Sequence, residues 1–173
     1  MVRREIPLAV FNENHAGDGA PDLVNFDDEK GGRQAARHFL NLGHRKIAFL
    51  GLNSHQEKDE LFPWPARRET GWGRMMREAG QETEGLVFRP AERALYRNDL
   101  EQSSQIAMAY ETSRQLVRTP GVTAVIAANA NAAEGLLQAL RASSMPHQRW
   151  PAIICSDVLT NSPSFAINYL PLP

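Results

Sequence analysis

Short apolar runs alternate with amphipathic stretches along the whole chain. Ile6 to Phe11 is the first run, with Pro7 near its start, where a strand tolerates proline. Leu23 to Phe26 is a brief extended piece. Lys46 to Gly51, Leu86 to Arg89, Val122 to Ala127, Ala152 to Cys155 and Phe165 to Tyr169 are further strand-like runs. These runs are apolar on successive residues instead of alternating, the pattern of strands covered on both faces of a parallel sheet.

Between them the apolar positions recur at helical spacing. Asp27-Asp28 supplies a cap for a helix to about Leu42, with Ala36, Phe39 and Leu40 inward and Gly43 as its stop. Trp72, Met75, Met76 and Ala79 form the core face of a helix from about Ala66 to Ala79, which stops at Gly80. A third helix, from about Leu100 to Arg118, places Ile106, Tyr110 and Val117 inward and is broken at Thr119-Pro120-Gly121. A fourth carries Ala133, Leu136, Leu137 and Leu140, and Asn131 with Glu134 resembles its capping box. The alternation of strand and helix predicts an α/β fold: a doubly wound parallel sheet with helices on both faces and right-handed crossovers. Ligands of such sheets bind outside the carboxyl ends of the strands. Here those ends lead into the loops at 53–65, from 89 onward, at 128–131 and at 156–161.

Composition narrows the function without naming it. The 173 residues suffice for one domain with a core. Nineteen Lys and Arg against 20 Asp and Glu give a net charge of −1, with no basic footprint for nucleic acid. Cys155 is the single cysteine and sits in an apolar run, so it is expected to be a small core group and forms no intrachain disulfide. No apolar stretch approaches the roughly 20 residues of a membrane span, and the amino-terminal residues do not form a secretory signal, so a cytoplasmic location is expected. No zinc-ligand spacing, nucleophile elbow or phosphate loop is present. The glycine pair Gly31-Gly32 opens a helix and lacks a dinucleotide fingerprint. Asp27-Asp28-Glu29 could form a carboxylate cluster for a metal, but acidic residues at a helix start are expected from the helix dipole alone. Nothing assembles into acid, base and nucleophile. A binding protein without metal or cofactor, not an enzyme, is expected.

Several segments together resemble the effector-binding domain of LacI/GalR-type transcription regulators, within the periplasmic-binding-protein superfamily. They are Val24-x-x-Asp27 with Gly31-Gly32 and Ala36 to Leu40; Leu42-Gly43-His44-Arg45-Lys46-Ile47-Ala48-Phe49-Leu50-Gly51; Arg68-x-x-Gly71-Trp72 with Glu78-Ala79-Gly80; Val122 to Asn129 with Ala133-x-Gly135; and Ile153 to Asp157. The matches span about residues 6 to 170. Ala130 stands where the family has Asp, and Cys155-Ser156 where it has Gly and an aromatic.

The resemblance implies two lobes with an effector clamped between them. It implies that residues 1–22 supply a strand and crossing from the amino-terminal lobe. Residues 23–173 would then form the carboxyl-terminal lobe, and the DNA-binding domain, of LacI or GntR type, would lie outside this chain. It also implies a homodimer, a carbohydrate effector, and repression of transcription relieved or imposed by lobe movement. An isolated fragment would expose apolar surface or swap the strand at Ile6 to Phe11. A periplasmic sugar-binding transport protein shares the fold and is the alternative. Carried over by position, Arg68, Asn129 and Asp157 are the effector contacts, and Trp64 or Phe62 the aromatic platform. Arg68 offers a planar donor fork, Asn129 donors and an acceptor, and Asp157 acceptors for paired hydroxyls. Each has a plainer alternative: a surface ion-pair partner for Arg68, a turn or cap residue for Asn129, a turn cap for Asp157, and local packing for Trp64.

Overall fold

The computed structural model describes residues 9–11, 22–24, 26–51, 64–90, 102–155 and 168–169; of 9–11, 22–24 and 168–169 only the backbone is described. The elements run β1 (Ala9–Phe11), β2 (Asp22–Val24), α1 (Asp28–Asn41), β3 (Ile47–Leu50), α2 (Trp64–Glu78), β4 (Val87–Phe88), α3 (Gln102–Arg118), β5 (Ala124–Ala127), α4 (Ala130–Arg141), a short 3-10 turn (His147–Arg149), β6 (Ala152–Cys155) and β7 (Asn168–Tyr169). Strands β4-β3-β5-β6-β7 form one sheet in that order, every pair parallel. β1 and β2 pair separately, also parallel.

The apolar runs dictate this arrangement. All residues of β3 and β5 are buried, so both faces of the sheet centre are covered. The helices pack in two pairs, α1 with α2 and α3 with α4. Right-handed crossovers from β3 leftward to β4 and from β5 rightward to β6 put those pairs on opposite faces. Phe49 of β3 meets Trp72 of α2 ring to ring at 5.9 Å, and Trp72 Nε1 donates to the Ile47 carbonyl at 3.2 Å. Phe39, Leu136 and Leu140 are fully buried, each contributing about 2 kcal/mol of apolar transfer. Cys155 is buried in β6, as the strand pattern implied.

α1 begins with Asp27 as N-cap, its carboxylate accepting from the Lys30 amide at 2.9 Å. It ends where Gly43, at φ 92°, takes the left-handed conformation that side chains resist. α1 and α2 cross at glycines. A Cβ on Gly32 would stand 1.9 Å from the Arg68 carbonyl oxygen, and one on Gly71 the same distance from that of Glu29. The two backbones are therefore in direct contact, and the first turns of α2 are held against α1.

Three expectations are corrected. α2 starts at Trp64, inside the stretch expected to be loop, because Pro65 fits the first turn of a helix, where no amide is needed. The core face of α3 is Gln105, Ala109, Ser113 and Leu116, one position off the expected Ile106, Tyr110 and Val117, which lie half-buried on its flank. The cap of α4 is Asn129, not Asn131: its side chain accepts from the Ala132 amide at 2.9 Å. Asn131 instead donates from Nδ2 to Gln105 Oε1 at 2.6 Å, joining α4 to α3.

Candidate functional site

The carboxyl ends of β3, β4 and β5 lie side by side and lead out through Gly51, Arg89 and Ala128-Asn129. α2 begins beside them, and its first turns carry the polar groups of this edge. Arg68 is the centre. Its Nε donates to Asp28 Oδ1 at 2.8 Å, its Nη1 donates to the Ala128 carbonyl at 2.6 Å, and its guanidinium carbon lies 4.5 Å from the centre of the Trp64 ring. The Arg68 and Asp28 side chains are 12% and 8% exposed, so this pair is substantially desolvated. A nearly buried guanidinium needs such partners, since an unpaired charge there is costly. The amide of Ala128 in turn donates to the Leu50 carbonyl at 2.9 Å. The backbone of one residue thus ties β5 to β3 through its amide and receives the arginine through its carbonyl.

Of the expected site residues, three fall within the described structure, and they converge. Arg68 holds the carbonyl next to Asn129, and Trp64 stacks on Arg68. Asn129 is buried, with its Oδ1 engaged as the cap of α4. Arg68 is thus an ion-pair partner, but in a nearly buried pair and not a surface one, and Asn129 has the cap role that was its plainer alternative. Both side chains nonetheless stay at the carboxyl edge of the sheet. Phe62 and Asp157 lie outside the described residues. Ala130, where the resemblance led to an expected Asp, is the first residue of α4.

Two features were missed. Asp28 was read as a candidate cap and as part of an acidic helix start, not as a partner of Arg68. The carboxylates of that start diverge: Asp27 caps α1, Asp28 binds Arg68, and Glu29 binds Arg74. No group of three potential metal ligands occurs among the described residues. The second omission is Arg89, which donates from Nε to Glu69 Oε2 at 3.1 Å and from Nη2 to Glu69 Oε1, a bidentate pair. No sequence spacing signals it, because Glu69 and Arg89 lie on different elements. Glu69 follows Arg68 directly, so consecutive residues of α2 reach opposite flanks of β3.

The opposite end of the sheet is built differently. His44, just before β3, lies with Nδ1 2.9 Å from Thr123 Oγ1 and with its ring edge against Phe39. Its pKa is lowered from the ordinary histidine value, mainly by burial and secondarily by repulsion from His38.

Comparison with known proteins fits this layout. The profile of the periplasmic binding protein-like domain matches residues 36–148, more than half of the chain. The HTH-type transcriptional regulator YvdE of Bacillus subtilis is 36% identical over 75 residues, which are 43% of this chain and 21% of that protein. A LacI-family transcriptional regulatory protein from Corynebacterium glutamicum superposes with TM-score 0.58 and 27% identity, covering 78% of this chain and 44% of its own. The transcriptional regulator CelR, solved with cellobiose, gives TM-score 0.57 and 27% identity over 79% of this chain and 38% of that one. The chain spans less than half the length of each.

Proposed function

The chain belongs to the periplasmic-binding-protein-like domain family, in the form carried by LacI-family transcription regulators, and on that premise we propose that it forms one wall of a clamp for a carbohydrate effector. The observation that carries this reading is the convergence of Arg68, Asn129 and Trp64 on the carboxyl edge of the sheet, where such folds bind solutes. Asp157 follows β6, the next strand along the same edge, and is proposed as the acceptor for paired hydroxyls; Phe62 precedes α2 as a further aromatic surface. The similarity to a regulator solved with cellobiose supports a sugar as the effector class.

In the whole protein, residues 1–22 belong to the opposing lobe and residues 23–173 to this one. A separate domain contacts DNA, and the regulator acts as a cytoplasmic homodimer. Effector binding favours one relative angle of the lobes and so one spacing of the DNA-binding domains. No reaction is needed for this, and the relatives are regulators rather than enzymes. Among the described residues no helix is long and apolar enough to cross a membrane.

The test is a thermal-shift panel of neutral mono- and disaccharides on the full-length gene product. A bound sugar at 100 times its Kd adds about 2.7 kcal/mol and raises Tm by several degrees. Arg68→Ala is expected to abolish that shift. A shift fully retained in Arg68→Ala removes the residue from the site; no response to any sugar sinks the carbohydrate reading.

A further inference from the structure

The carboxyl edge carries two guanidinium–carboxylate pairs, one on each side of the β3 exit. Arg68 with Asp28 sits toward β5; Arg89 with Glu69 sits toward β4. The exit between them is Gly51, whose missing side chain leaves the Arg89 stem 3.4 Å from where a Cβ would stand. The two pairs differ in exposure. Arg68 and Asp28 are nearly closed off, whereas Arg89 and Glu69 are 30% and 22% exposed. The inner pair is nearly enclosed, while the outer one is partly exposed at the same edge.

We propose that Glu69 and Arg89 form a second recognition station on this wall, one that reads hydroxyl groups of a second, uncharged ring. This rests on the clamp reading above and specifies its ligand. A bidentate guanidinium–carboxylate pair offers donors and acceptors in one plane with no net charge, which suits vicinal hydroxyls and disfavours anions. The stations flank β3 at the ends of β5 and β4, two strand spacings apart, or about 10 Å. That separation matches two linked pyranose rings better than one. Nothing about the Arg68 station requires this. It follows from consecutive residues 68 and 69 of α2 facing opposite flanks.

The experiment is calorimetric titration of the full-length gene product with cellobiose, maltose, glucose and glucose 6-phosphate, in the wild type, Glu69→Gln, Arg89→Lys and Arg68→Ala. The expected result is a disaccharide that binds at least tenfold more tightly than glucose in the wild type. That advantage falls to under threefold in both Glu69→Gln and Arg89→Lys, while glucose affinity stays within twofold. Glu69→Gln also leaves Arg89 uncompensated, so glucose 6-phosphate should gain affinity in that variant alone, which a merely structural role for the pair does not produce. If Arg68→Ala abolishes sugar binding but the outer-pair variants keep the disaccharide advantage and gain nothing for the phosphate, the station is refuted and the clamp stands. If none of the four probes binds the wild type, the station falls together with the reading beneath it.

Discussion

The two helix layers solve the same packing problem by different means. α1 and α2 cross on bare backbone at Gly32 and Gly71 and are then laced by charge: Arg68–Asp28, Arg33–Glu78 and Arg74–Glu29 all run from one helix to the other. α3 and α4 approach through small residues, with Gly135 against Ala109 and Tyr110, and are joined by an amide bridge, Asn131 to Gln105. The ion pairs described on that layer, Arg114–Glu111 and Arg141–Glu134, each stay within one helix. The charged layer is the one that carries the candidate site. Bare-backbone contact fixes where α2 begins, and that fixes where residues 68 and 69 point. The α3–α4 layer chiefly closes the core.

The largest test of this contrast is the pair of glycines. Gly71→Ala forces a methyl to 1.9 Å from a backbone oxygen, so the helices must separate. A loss of about 3 kcal/mol is expected, the upper part of the overpacking range and more than the gain in helix propensity of about 1 kcal/mol. Gly135→Ala meets its nearest atoms at 2.6 Å and should cost about half as much. Chemical denaturation of both variants decides it; equal losses would erase the distinction between the layers.

Asp28→Ala should come next, at about 2 kcal/mol. Breaking a fully buried pair costs more, but Arg68 keeps the Ala128 carbonyl and the Trp64 ring. Adding Arg68→Met should recover part of the loss, and a double-mutant cycle showing no coupling would mean that the pair does not organise the edge. Glu29→Ala removes an exposed cross-helix pair and should change stability by under about 0.5 kcal/mol, so that glycine contact outranks surface charge in holding the layer.

The smallest effect concerns the contact between layers. His44 follows α1 and meets Thr123 at the turn into β5. Its folded pKa is lowered, so the unfolded chain takes up the proton first. His44 thus costs no stability above the unfolded histidine pKa. Stability declines as pH falls from there through the lowered folded value. Melting curves at pH 7.5 and 5.5 should show a smaller acid-induced drop in His44→Gln than in the wild type; identical drops would assign the acid sensitivity elsewhere.

Much of the fold was legible because apolar runs and helical stripes are strong signals where burial is complete. β3, β5 and β6 and the stop at Gly43 follow from them directly. α3 shows where the signal fails. Its inward face includes Gln105 and Ser113, buried polar residues that an apolar stripe cannot reveal, and Ala109, too small to stand out. Ile106, Tyr110 and Val117 advertise a face that is only half-covered. At the site, it was the family resemblance that singled out Arg68 and Asn129, by position. Their partners were invisible: Asp28 is 40 residues away from Arg68, and the Ala128 group involved is main chain.

That last contact bears on how the site can change over time. Arg68 addresses the peptide of residue 128, not its side chain. Substitutions at 128 therefore leave the anchor untouched so long as the newcomer is small enough for a fully enclosed position. Lineages can drift at that position without losing the grip, whereas a shift in the local path of the chain, with every residue identity preserved, would break it.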